Sequence, residues 1–204
     1  MAILSKDQAR GILQPYHGLI WNVIQEAWAE WRSVHALRVA AELPPLLYQR
    51  TVSNYVFDAI ARRAIPLFKH QERVSVSIEA QTFKIFFGGQ LLARFKKGGD
   101  DKLGNNIPTQ AAMAFMEADG VLPGMPPETA KVEFIWLPNE IWTQVDSVLV
   151  VARDGDVLIW EYEIARPSEG TMPLPFPTRP DSPPPDGGDL IKPKEIPAAK
   201  SKGN

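Results

Sequence analysis

The sequence runs to 204 residues, and its 22 Lys and Arg against 24 Asp and Glu leave a formal net charge of -2. A chain so balanced is not built as a whole to hold a polyanion, although a local basic patch can do so. With no cysteine present, disulfides, thiolate zinc sites and cysteine nucleophiles are excluded.

Hydrophobic residues make up 45% and charged residues 23%, ordinary for a globular protein, and the length suits one domain with a sizeable core. The opening Met1-Ala2-Ile3-Leu4-Ser5-Lys6-Asp7 lacks the basic-then-apolar order of a signal peptide. No apolar run approaches the ~20 residues needed to cross a bilayer. A cytoplasmic protein without membrane contact is expected.

The first seventy residues read as helical. Residues 4–13 suit a short helix closed by Pro15. Ile20, Trp21, Ile24, Trp28 and Trp31 then recur at three- and four-residue steps, a stripe along one helix face, with Val34, Leu37 and Ala41 carrying it toward Pro44-Pro45. Core packing accounts for such a stripe, and its width also suits a partner interface. A second long helix is expected over residues 46–65, with Val52, Val56 or Tyr55, Ala59 and Ile60 inward. Arg62 and Arg63 would complement the dipole of its last turn, and Pro66 would stop it.

The period then changes to two. Val74, Val76 and Ile78 alternate with Ser75, Ser77 and Glu79, and residues 82–87 and 91–95 follow across Ala80-Gln81 and Gly88-Gly89, making a three-stranded meander. A polar loop spans Gly98-Gly99-Asp100-Asp101 and Gly104-Asn105-Asn106. Thr109 is placed to N-cap a helix running to about Asp119, with Ala112, Phe115 and Met116 inward and Gly120 as its C-cap. Pro123-Gly124-Met125-Pro126-Pro127 reads as a rigid turn.

Strands over residues 132–137, 145–152 and 157–164 close the pattern, the last two joined at Asp154-Gly155, where a type I′ hairpin turn needs positive φ at both positions. The fold class is α+β. N-terminal helices (1–70) precede two three-stranded antiparallel meanders with one intervening helix (71–165), forming an antiparallel sheet packed on helices. Ten of the 19 prolines fall between Pro167 and Pro197, so residues 166–204 read as a disordered tail of polyproline II character outside the domain of residues 1–165.

Chemistry-bearing residues are sparse. The three histidines, His17, His35 and His70, neither pair at helical metal spacing nor neighbour a carboxylate cluster. Asp146, Glu161 and Glu163 suit a solvated sheet face, and Asp100-Asp101 suit a turn. No nucleophile elbow, phosphate-cradling loop or dinucleotide fingerprint occurs, so no catalytic residue, metal ligand or cofactor is assigned. The clearest local charge is Arg94, Lys96, Lys97 and Lys102, with Lys84 on the preceding strand. Those four, Arg94, Lys96, Lys97 and Lys102, form the candidate binding set, toward phosphate of a nucleic acid with Arg94 and Lys96 on one strand face, or as charges guarding a sheet edge.

Three resemblances bear on function. Arg10 with His17, and Arg63 with His70, resemble the Arg–spacer–His signature of HEPN ribonucleases, which implies guanidinium support of a scissile phosphate and proton transfer by imidazole. Pro15 and Pro66 interrupt both spacers, and the strand-rich half differs from that all-helical family. Gln90-Leu91-Leu92-Ala93-Arg94-Phe95 resembles the short peptides that dock on bacterial sliding clamps, yet it falls in a strand. Finally, Ala93-Arg94-Phe95-Lys96-Lys97, Asn106-Ile107-Pro108-Thr109-Gln110, Leu122-Pro123-Gly124 and the hairpin ending in Trp160-Glu161 are similar to small uncharacterised bacterial proteins from toxin–antitoxin or phage-defence gene neighbourhoods. That likeness covers about residues 73–164 and implies a cytoplasmic protein that binds a protein partner. It transfers no catalytic residue.

Overall fold

Apolar periodicity of 3.6 before residue 70 and of two after it becomes helices followed by strands in a computed structural model that describes residues 4–104, 109–117, 120, 126 and 129–167. The expected turn at 123–127 falls almost wholly outside these residues, as do Asn105, Asn106, Asp119 and the proline-rich tail beyond Pro167.

Helix α1 (Lys6–Leu13) opens on a capping box in which Ser5 and Gln8 each bond the other's backbone N–H. Helix α1 ends at Leu13, as expected, and Pro15 follows it without breaking the chain's helical course. This proline sits early in a 3₁₀ turn (Gln14–Tyr16), where its missing N–H costs nothing, and the chain passes directly into α2 (His17–Ala40). Helix α3 (Gln49–Lys69) starts three residues later than expected and runs through Pro66, which removes one backbone donor without ending the helix. Arg62 and Arg63 therefore lie a full turn before the end and reach sideways to α2 rather than along the dipole.

Both meanders form, as β1 (Val74–Glu79), β2 (Thr82–Phe87) and β3 (Leu91–Lys97), then β4 (Ala130–Pro138), β5 (Val145–Asp154) and β6 (Val157–Glu163). They join into one six-stranded sheet in sequence order, but the junction between β3 and β4 is parallel. The sheet is thus mixed rather than antiparallel, because a parallel pair needs a long crossover and the segment carrying α4 (Gln110–Met116) provides it. That helix is N-capped by Thr109 as expected, and it ends at Met116 rather than near Asp119.

Side-chain alternation divides the sheet into two faces. Phe83, Ile85, Phe87, Phe95, Phe134, Trp136, Val150 and Tyr162 face α1–α3 and build the main core with Ile20, Ile24, Trp28, Val56, Ile60 and Phe68. The other face carries Leu92 beneath Phe115 of α4, and a cluster of Leu103, Ile135, Leu149 and Val151 beneath the loop that follows β3.

The last hairpin forms one residue later than expected. Asp154 pairs with Val157, leaving Gly155 and Asp156 as the turn, and of these two only Gly155 has positive φ (57°). Glycine at the first central position is the pattern of a type II′ turn, not I′. A Cβ at Gly155 meets no neighbour within 4 Å, yet valine there must adopt left-handed backbone. Gly155→Val is expected to cost about 1 kcal/mol or more and to lower the melting temperature measurably.

Candidate functional site

The basic residues of β3 do not share one surface. Arg94 lies directly across the parallel register from Glu133. Its Nε and Nη2 both donate to Glu133 Oε1, at 3.0 and 2.6 Å, and the ring of Phe115 lies 4.0 Å from its guanidinium carbon. Both residues are buried, Arg94 to 5% exposure and Glu133 to 0%. Burial pushes the Arg94 pKa below its usual value, and the charge of Glu133 opposes that shift. Glu133 Oε2 accepts from the Gly104 N–H (3.2 Å) and lies 3.6 Å from Arg153 Nη1. Arg153 also donates to the carbonyls of Gly104 and Gly155 and to Asp156.

Lys96 projects from the same face, half-buried, and its side chain makes no ion pair or hydrogen bond among the described residues. Burial and the neighbouring Arg94 lower its pKa. Lys97 projects from the opposite face, its ammonium 5.0 Å from the Trp142 ring. Lys102 is paired with Glu161, and buried Lys84 with Glu79. Strand β3 is central, so these charges do not guard an edge, and the clamp-like segment ending at Phe95 is built into the sheet. Glu133 and Arg153 escaped sequence reading, although a lone acid inside Val132-Glu133-Phe134-Ile135-Trp136 is the signal of a buried charge that needs a partner.

The two Arg–His spacings have different fates. His17 Nε2 lies 3.2 Å from the Tyr162 hydroxyl, and the Arg10 guanidinium lies 5.7 Å from the Tyr162 ring centre. Burial, followed by the charge of Arg10, lowers the His17 pKa, and burial raises that of Tyr162. Arg63 instead pairs with Glu26 and Glu30 of α2, while His70 ends α3 in solvent. Among the described residues no group of three His, Asp or Glu is placed to hold a metal ion.

Exposed apolar side chains cluster in the sequence where α2 gives way to α3. Trp28 bonds the Thr143 carbonyl just before β5 begins, and no residue of α2 beyond Trp31 is buried. Leu37, expected inward, is 71% exposed, and Val39, Leu43, Leu46, Leu47 and Tyr48 are exposed beside it. With Pro44, Pro45, His35, Arg38 and Glu42, several of these line a groove of about 390 Å³. Helix α2 ends there in paired bonds from Glu42 N–H to the Val39 carbonyl and from Leu43 N–H to the Arg38 carbonyl. That is a Schellman closure with Glu42, rather than glycine, in the left-handed position at φ 53°. Arg38 Nη2 donates to the Pro44 carbonyl and fixes the loop.

Scans of protein-family models, curated proteins and solved structures find no match to this chain. No helix among the described residues is long and apolar enough to cross a membrane.

Beneath the corner, Glu30 of α2 accepts from Arg62 and Tyr55 at 2.7 Å each and pairs with Arg63 at 2.7 Å. The Arg62 hydrogen bond, then that of Tyr55, holds the Glu30 carboxyl at about 2. A carboxyl depressed in the folded state stabilises the fold above its unfolded pKa and loses that contribution as pH falls through its folded value. Glu30→Gln is expected to lower stability at pH 7 by about 1 kcal/mol, discounted for the partial exposure of these groups. The difference between parent and variant should vanish as urea midpoints are followed from pH 5 down to pH 2.

Proposed function

We propose that this chain is a binding protein that docks a protein partner through the α2–α3 corner and performs no catalysis of its own. The observation that carries the reading is the set of large apolar side chains left exposed where α2 gives way to α3, Leu37, Val39, Leu43, Leu46, Leu47 and Tyr48, of which Val39, Leu43 and Leu46 line a groove. An apolar groove that also holds His35, Arg38 and Glu42 in its lining has the mixed apolar and charged character of an interaction site. The likeness to small toxin–antitoxin and phage-defence proteins supports a role as one component of such a two-protein module, in the cytoplasm. The basic set supports nucleic-acid contact poorly, because Arg94 and Lys102 are already neutralised by carboxylates.

A second reading, a metal-independent ribonuclease, is favoured by one observation: Arg10 and His17 converge on Tyr162. Against it, His17 is engaged by the phenol, and a single guanidinium is little support for a phosphate. One paired experiment separates the two. Tagged full-length chain should retain a protein that Leu37→Glu/Leu47→Glu releases at unchanged circular dichroism, and His17→Ala should retain it as well as the parent does. RNA cleavage by the parent that His17→Ala abolishes, with folding preserved, would overturn the binding reading in favour of the enzyme.

A further inference from the structure

We infer that the sheet face turned away from α1–α3 holds a binding site for a small phosphate-type oxyanion, formed by Lys96 together with the free edge of the Arg94 guanidinium. The site is separate from the α2–α3 corner, and its failure would leave partner docking there untouched.

Charge is the first argument. Arg94, Lys96 and Arg153 gather on this face around a single buried carboxylate, Glu133. Arg94 is matched by Glu133, and Arg153 by Asp156 at 2.9 Å. Lys84 is matched by Glu79 and Lys102 by Glu161, while Lys131 donates to the carbonyls of Ala114 and Glu117. Lys96 alone among the described cations of this face has no such partner. It is also not a side chain waving in solvent. Its stem lies against Gly104, where a Cβ would stand 2.8 Å from Lys96 Cβ and 2.9 Å from Lys96 Cγ. Burial and Arg94 oppose the charge of this ammonium, and an anion beside it would restore that charge.

Unused donors are the second argument. Arg94 gives Nε and Nη2 to Glu133 Oε1, which leaves the N–H groups of Nη1 without a hydrogen bond among the described residues. Phe115 covers the flat of the guanidinium at 4.0 Å, so a ligand reaches it by that remaining edge. In a side chain only 5% exposed, donors left over call for an acceptor. Arg94 and Lys96 stand two residues apart on one strand face, about 7 Å along the backbone. Side chains of this length can converge from there on one tetrahedral anion, which accepts from an ammonium and a guanidinium together.

The same observations set the size of the ligand. Lys97 lies on the opposite face and Lys102 is already paired, so no track of free basic groups continues from Lys96 for a polymer to follow. A single phosphate group is what the two donors fit.

Calorimetric titration of the full-length chain with inorganic phosphate, at ionic strength held constant with sodium chloride, tests the site. The parent should bind one phosphate with a Kd on the order of 1 mM or tighter. Lys96→Met keeps the packed stem and removes the charge, and it should weaken binding at least about tenfold at unchanged circular dichroism. Lys97→Met, on the opposite face, should bind as the parent does. Carbon-13 NMR of the Lys96 Cε gives a second readout in the parent itself: the pKa of this lysine should rise when phosphate is added, because an anion favours the charged form. Glycerol phosphate that binds more tightly than inorganic phosphate assigns the site to a phosphate monoester, and the reverse order assigns it to free phosphate. Binding that survives Lys96→Met, or that Lys97→Met weakens equally, marks an adventitious ion only and overturns the site. Acetate binding as tightly as phosphate, or no binding and no shift of the Lys96 pKa up to about 20 mM phosphate, overturns it as well.

Discussion

The carboxylate of Glu133 is the point on which the sheet is assembled. The two meanders are each stabilised locally, by short turns and adjacent strands. Nothing local forces them to join, and their parallel junction closes only after a long crossover. Glu133 spans that junction by pairing with Arg94 across it, and its second oxygen holds the Gly104 N–H of the crossover loop. Arg153 extends the same network to the β5–β6 turn through the carbonyl of Gly155. One buried acid thus ties together β3, β4, the returning loop and the final hairpin.

Such a centre is unforgiving. Removing an ion from water costs several kcal/mol even after relaxation, and a buried pair recovers this only where every donor and acceptor is satisfied. Here Arg94 gives two hydrogen bonds to one oxygen and rests on Phe115, and Glu133 receives contacts on both oxygens. Close fit is also enforced sterically, since a Cβ at Gly104 would stand 2.8 Å from Glu133 Oε2 and 2.8 Å from Lys96 Cβ. The basic strand is therefore mostly internal scaffolding, and the surface left for a partner is at the far end of α2.

Those residues explain which features were legible in the sequence. Alternation in Val74–Glu79 and the Trp21–Trp28–Trp31 stripe report local burial, so element type and order followed directly. The parallel β3–β4 junction was not legible, because pairing between strands separated by a crossover leaves no local period. Pro15 follows the true end of α1 at Leu13, whereas Pro66 misleads as a helix end because a proline removes one donor and need not end a helix that tertiary packing holds. Leu37 misled differently: its helical phase is correct for the stripe, but no residue of α2 beyond Trp31 is buried, which phase alone could not reveal. Arg94 carried a visible charge whose partner, Glu133, lies 39 residues away.

A double-mutant cycle on the unfolding free energy with Arg94→Met and Glu133→Leu tests the role of this pair most directly. Each single substitution leaves a buried charge without its partner and is expected to cost about 3 kcal/mol or more, while the double variant, with both charges gone, should cost far less than the sum, giving a coupling of about 2 kcal/mol or more. Additive single effects, with no coupling between the two positions, would contradict Glu133 as the organising contact of the sheet.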